Sequence, residues 1–269
     1  MSELTGLPAP VLAIFLTGAC VLFAWWLNWY LHRRYPNGEG ASYGATAASY
    51  MTALGSLFAI LTGFLINTAF VGVRSAEDTV AAEAAAANRL AWAARGLPSA
   101  DVSQIQENLA DYLAALDQTE WPELGGSTSV DGASAELNAL QQEVFTVGVR
   151  DYAPSISVDS MQAAVDELGS QRRARLTAAS SEIPFELFAL SVIAGLALIA
   201  NSIVVTLRNG PKDGVVTIGI VVVVGLDLAL ILALSGPFNG PFDVSPEPLN
   251  SLLEEIRNGK YLPWIGGGG

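Results

Sequence analysis

Residues 51 to 73 read MTALGSLFAILTGFLINTAFVGV, and residues 74 to 95 follow without a breaker as RSAEDTVAAEAAAANRLAWAAR. The first string carries no charge and, at 1.5 Å per residue, is long enough to cross a hydrocarbon core about 30 Å thick. The second is charged and alanine-rich, and nothing in it stops a helix before Gly96, Leu97 and Pro98. Helix propensity therefore carries one rod out of the membrane into water.

Three more apolar windows lie outward from this stretch. The first span covers residues 9–31 and ends in Trp25, Trp26, Trp29 and Tyr30, with His32, Arg33 and Arg34 directly after. Such rings sit at headgroup level and basic residues anchor the flank. The window is too long for the apolar core of a signal peptide and lacks a basic segment before it, so it reads as a retained span. A loop, Tyr35 to Ser49, leads to the second span, 51–73. The third and fourth spans cover 185–207 and 215–234, joined by the tight turn that holds Arg208 and Lys212.

The fold expected is all-α: an integral membrane protein with four transmembrane helices in two hairpins and an inserted soluble helical bundle. Hairpin 1 takes residues 1–73, an acidic helical domain 74–184, hairpin 2 residues 185–236, and a C-terminal segment with a short helix 237–265. Residues 266–269, four glycines, read as a linker.

Composition agrees with a membrane class. Hydrophobic residues make up 51% of the chain and charged ones 14%, against about 25% charged in a soluble domain. The net charge is −13, which excludes nucleic-acid binding through phosphate neutralisation. One cysteine, Cys20, excludes an intrachain disulfide or a thiolate metal site and reads as a packing residue. No cofactor or metal is expected. Catalysis is not expected either, since the chain has no nucleophile elbow, no phosphate-binding glycine loop and a single histidine at a membrane boundary.

The inserted domain carries 17 acidic and 7 basic side chains, a surplus of ten negative charges. Beyond the alanine-rich helix, one helix is expected to start near Asp101 as its cap, with Ile105, Leu109, Tyr112, Leu113 and Leu116 as its apolar stripe. After a break at Trp121, Pro122, Gly125 and Gly126, Leu137, Leu140, Val144 and Val147 repeat at helical spacing. Met161, Val165, Leu168 and Leu176 do so after Pro154, in a helix that could run on towards the third span, with a kink or boundary at Pro184. Orientation is read from the short loops: Arg33 and Arg34 in one and Arg208 and Lys212 in the other place both in the cytoplasm, and the acidic domain outside it. Arg172, Arg173 and Arg175 weigh against that reading, lying within about fifteen residues of the third span.

Two features of the spans are candidates for function. Thr52, Ser56, Ala59, Gly63 and Asn67 recur at spacings of four, three, four and four, which puts them on one face of the second span. Such a face suits close helix packing or, around a symmetry axis, a polar pore wall. Asp227 lies in the fourth span, where an ionisable group has to face a partner or a wet cavity. It reads either as an ion-pathway residue or as a buried partner of polar groups such as Asn201. The acidic surplus favours cations over anions in any such pathway.

Four segments occur together in one order: LTGFLI at 61–66, the run from Glu77 to Pro98, the pair Trp121 and Pro122, and PFNGPFDVSPEPL at 237–249. On these the chain resembles the bacterial bestrophin-like membrane proteins, a family defined by a domain of unknown function, over nearly everything after Leu54. The most specific segment holds Pro237, Phe238, Gly240, Ser245, Pro246, Glu247 and Pro248. The family's acidic residue before the Pro-Phe pair is replaced here by Ser235 and Gly236, and the nearest carboxylates are Asp227 and Asp243. True bestrophins are pentameric anion channels with their bulk in the cytosol, so the resemblance implies a homo-oligomer in a lipid bilayer. Read from its own residues, the segment caps a helix with Ser245, starts it at Pro246, and gives it an apolar edge of Leu249, Leu252, Leu253 and Ile256.

Two functions are carried forward. The first is a homo-oligomeric channel lined by the second span, in the cell membrane. The second is a non-conducting scaffold or accessory subunit whose bundle binds an envelope protein.

Overall fold

The computed structural model describes residues 8–34, 41–124, 131–151, 153–180, 183–209, 214–238 and 240–263. All regular structure among them is helical. In chain order the helices are α1 (Ala9–Arg34), α2 (Ala41–Ala94), α3 (Ser99–Ala115), α4 (Ser134–Gly148), α5 (Ser155–Ala179), α6 (Phe185–Asn209), α7 (Gly214–Leu234) and α8 (Glu247–Arg257). A π-helical turn, Leu116–Glu120, and a single turn, Trp121–Glu123, follow α3. Among the described residues, four helices are long and apolar enough to cross a membrane: Ala9–Arg34, Gly44–Ala94, Phe185–Thr206 and Val215–Leu234.

The stretch expected as a loop before the second span is partly helical, because α2 begins at Ala41. Alanines at 41, 45, 47 and 48 favour the helix, and the Ser49 hydroxyl donates back to the carbonyls of Ala45 and Thr46. Residues 35–40 lie outside the described set. The chain divides into two compact units, Met1–Val73 with Glu182–Phe242, and Arg74–Ser181 with Asp243–Gly269.

The first unit packs α1, the first part of α2, α6 and α7. Its core gathers Cys20, Phe58, Ala194, Leu198, Ile199, Val224 and Leu228. Glycine sets how closely these helices approach: a Cβ at Gly225 would stand 2.6 Å from Thr17 Cα, and one at Gly195 would stand 2.7 Å from a Val224 methyl. Small residues of this kind let helices pack where lipid offers no hydrophobic drive. Hydroxyls add a polar tie between α6 and α7, with Thr217 Oγ1 lying 2.9 Å from Ser202 Oγ and 3.0 Å from Thr206 Oγ1.

The second unit packs its helices round a core of its own. Ile105, Leu109, Tyr112, Leu113 and Leu116 of the α3 stripe are buried, as are Leu137, Leu140, Val144 and Val147 of α4 and Met161, Val165 and Leu168 of α5. Two expectations are corrected. Asp101 does not cap α3: the helix starts two residues earlier behind Pro98, and Asp101 bonds Arg150 instead. Leu176 is half-exposed, since the neighbouring position 175 takes the core. Of the two outcomes open at Pro184 the structure has the boundary: α5 ends at Ala179 and α6 starts at Phe185, as the missing N–H of proline favours. Gly125 and Gly126 lie outside the described residues.

The C-terminal helix α8 buries Leu249, Leu252, Leu253 and Ile256 within this unit, where it packs on α3. Ser245 Oγ accepts the Glu247 N–H at 3.2 Å, so the cap acts one residue before the proline at the helix boundary. Asn250 donates to Asp117 at 2.9 Å, and the Tyr261 hydroxyl donates to Glu255 at 2.6 Å. Burial, then this bond, pushes the Tyr261 phenol well above its ordinary range. The Lys260 ammonium, 2.6 Å from Glu255, holds that exposed carboxyl below its ordinary range.

Candidate functional site

Helix α2 presents three faces between residues 45 and 73. Met51, Leu54, Phe58, Leu65, Ala69 and Val73 turn towards the unit's own core or are partly covered by it. Leu57, Ile60, Phe64 and Val71 form an exposed apolar face suited to lipid. Between them, Thr52, Ser56, Ala59, Gly63 and Asn67 are all exposed on the single chain. Helical spacing brings these five together, and Ala45, Ser49, Phe70 and Arg74 extend the same line at steps of three or four.

Gly63 differs in kind from Gly195 and Gly225. A Cβ at Gly63 would meet nothing within 4 Å, so its small size serves no contact within the chain. Hydroxyls, an amide and open glycine exposed on one face are poorly matched to lipid, which satisfies no hydrogen bond.

Asn201 and Asp227 are not hydrogen-bonded to each other. The Asn201 amide donates to the Ala47 carbonyl at 2.9 Å and lies 3.3 Å from Met51 Sδ, which pins α6 to α2. Asp227 is half-buried on α7 beside the buried Val224 and Leu228. Neither joins the α2 stripe by any bond. Pro237 and Phe238 are buried, Gly240 is half-buried, and Ser245, Glu247 and Pro248 are exposed around the start of α8, where Pro246 stands as the boundary residue. Ser235 is buried and donates to the Leu232 carbonyl at 2.8 Å, closing α7.

The aromatic and basic residues read as anchors lie at the C-terminal end of α1. Trp25, Trp26 and Trp29 are exposed, Trp26 stacks on Tyr30 with centroids 5.8 Å apart, and the Arg33 guanidinium lies 5.2 Å from the Trp29 ring. His32 Nδ1 is 3.0 Å from the Asn28 carbonyl, consistent with a flank residue. Arg34 follows on the same exposed end, Arg208 closes α6, and Lys212 lies outside the described residues.

Sequence reading missed a charged cluster buried in the bundle. Arg175 and Glu83 are fully buried and paired at 2.7 Å, and Arg175 also holds Glu120 at 2.6 Å. Glu120 takes Arg172 at 2.5 Å and the Ala133 N–H at 3.1 Å, while the Tyr112 hydroxyl donates to Glu83 at 2.5 Å. The π-helical turn turns Glu120 inward to full burial. Burial would raise the Glu120 carboxyl, but the Arg172 hydrogen bond and the charges of both arginines outweigh it and hold the group below its ordinary range. Burial, then the Glu83 charge, pushes the Tyr112 phenol far up. The signal available in the sequence was Arg172 and Arg175 on the line of Leu168, an apolar helix edge.

The sequence matches the Bestrophin-like domain over residues 18–249. The chain belongs to the bestrophin-like family. A comparison with curated proteins finds no match. Among solved structures, two single-substitution forms of a bacterial bestrophin homologue from Klebsiella pneumoniae are similar in fold. One is 15% identical, with 91% of this chain and 98% of that one covered and a TM-score of 0.70. The other is 14% identical, with 91% and 97% covered and a TM-score of 0.71. A structure described as a membrane protein is 16% identical over 91% and 97%, with a TM-score of 0.66. The bestrophin-like assignment and the four apolar helices together make this a multi-pass membrane protein.

Proposed function

We propose that the chain is the subunit of a homo-oligomeric ion channel in which the α2 face of Thr52, Ser56, Ala59, Gly63 and Asn67 lines a central pathway. The observation that carries the reading is the exposure of all five on a helix whose opposite face is buried. Copies arranged about an axis give that polar line an aqueous environment that lipid cannot. Similarity to bestrophins, which are pentameric anion channels, supports the channel and the oligomer and weighs against a cation preference.

The cation preference rests on the bundle's charge. Glu83 and Glu120 are neutralised in place by Arg175 and Arg172, so the surplus of ten negative charges stays at the solvent-facing surface. That surface raises local cation concentration and repels anions. The test is ion flux through purified protein in liposomes, with reversal potential under a salt gradient. Asn67→Leu and Gly63→Leu reduce flux severalfold in this reading, and Asp227→Asn changes it if α7 borders the pathway. An oligomer that is leak-tight ends the channel reading, while anion-selective current ends only its charge component.

The orientation proposed is the one that the family's layout implies, with the bundle in the cytosol. Within fifteen to twenty residues of the span ends, Arg74, Arg89, Arg172, Arg173 and Arg175 flank the bundle side, against Arg33, Arg34, Arg208 and Lys212 in the short loops. The positive-inside rule therefore does not separate the two sides, and the likeness to bestrophins is what supports a cytosolic bundle over the outside placement read from the short loops. Impermeant thiol labelling of Gln142→Cys in intact cells should fail and succeed only after lysis; labelling before lysis restores the orientation read from the short loops.

A further inference from the structure

On the bundle, α2 and α5 border an open groove of about 850 Å³. Ala82, Ala85, Ala163 and Ala164 line it, with Arg89 and Trp92 on its α2 wall. Alanine on both walls leaves room for the side chains of another surface. On a different helix of the same unit, α4, Phe145 in the last turn is 65% exposed, and Val149, the residue that ends the helix, is 67% exposed. Single exposed apolar residues need no explanation, but two large ones four residues apart at one helix end mark a contact surface. Asp151 is exposed just past Val149, opposite in sign to Arg89 at the groove.

We propose that the groove of one copy receives Phe145 and Val149 of the next copy. The inference rests on the homo-oligomeric reading above and names the contact that would hold the ring. One chain carries both a socket and a knob, on different helices, so the contact is head-to-tail and closes by rotation, as a cyclic oligomer requires. The occupant is not lipid, because the groove belongs to the unit that carries the charge surplus. Burying two large side chains against alanine also supplies the apolar centre that an interface needs, with Arg89 and Asp151 at its rim.

Disulfide trapping tests it on the full chain in native membranes, with Cys20→Ser removing the one native thiol. Ala85→Cys combined with Phe145→Cys should give, on oxidation, a ladder of multiples of 28.2 kDa. Each variant alone should stay at one chain, and the two co-expressed should stop at a pair. A ladder or pair from one variant alone, a cross-link to an unrelated chain, or single chains from an intact oligomer overturns the proposal. As a second arm, Phe145→Glu should keep full helical content by circular dichroism and lose most of its ring population in detergent where the parent is assembled. An unchanged ring overturns the proposal and leaves the channel reading standing; a parent that is itself monomeric overturns both.

Discussion

The two units solve the same problem, holding helices together, with opposite materials. In the apolar unit α1, α6 and α7 meet through glycine and hydroxyl, at Gly225 against Thr17 and at Thr217 against Ser202 and Thr206. In the bundle, where the hydrophobic effect already supplies cohesion, full charges are buried at the centre: Glu83, Glu120, Arg172 and Arg175. Buried ion pairs add little net stability over an apolar core, but they penalise any packing that separates them. The bundle thus gains a unique arrangement of α2, α3, α4 and α5, while the apolar unit gains closeness.

The largest effect should come from breaking the buried cluster. Arg175→Met leaves Glu83 without its ion pair and Glu120 with one arginine, a loss of about 3 to 5 kcal/mol for an uncompensated buried charge. Trp121, whose ring lies 5.4 Å from the Arg175 guanidinium, reports the transition by fluorescence during thermal unfolding in detergent. Adding Glu83→Gln should recover part of the loss, because the amide still accepts from Tyr112 and removes the orphan charge. A drop below about 1 kcal/mol for Arg175→Met would mean that the cluster behaves like a surface pair.

A milder perturbation is titration of Glu120. Its carboxyl titrates below its ordinary range in the folded chain, so the unfolded chain binds the proton more readily. The stability it contributes is present above the unfolded value, near pH 4.3, and is lost as pH falls through the folded value. Melting temperature should decline on acidification from pH 5 to 3, and the decline should be shallower in Glu120→Gln. Parallel pH profiles for parent and variant would remove Glu120 from the account.

What the sequence made legible follows the same division. Spans are written in length and hydropathy, and bundle helices in the recurrence of Leu, Val and Ile at three and four, so α1, α6, α7 and the stripes of α3 and α4 could be read directly. The α2 line from Thr52 to Asn67 was legible for the same reason, since spacing alone fixes a helix face. The charged cluster was not. Glu83 and Glu120 look like members of an acidic surface, and only the turn at Leu116–Glu120 and the partners from α5 turn them inward. Asn201 was misread for a related reason: its partner is the Ala47 carbonyl, and a backbone acceptor has no signature in sequence.

The smallest effect sharpens the comparison from the other side. Thr217→Val removes a hydroxyl that stands between Ser202 and Thr206 while keeping shape nearly constant. Hydrogen bonds between helices in lipid average about 0.6 kcal/mol, because the separated helices also find partners. Thr206 keeps its bond to the Ser202 carbonyl at 2.8 Å in the variant, so only the contact with α7 is lost. The shift in melting temperature should therefore be a small fraction of that for Arg175→Met. A shift of equal size would mean that the apolar unit, like the bundle, depends on a buried polar centre, and that close packing at Gly195 and Gly225 is a consequence of it.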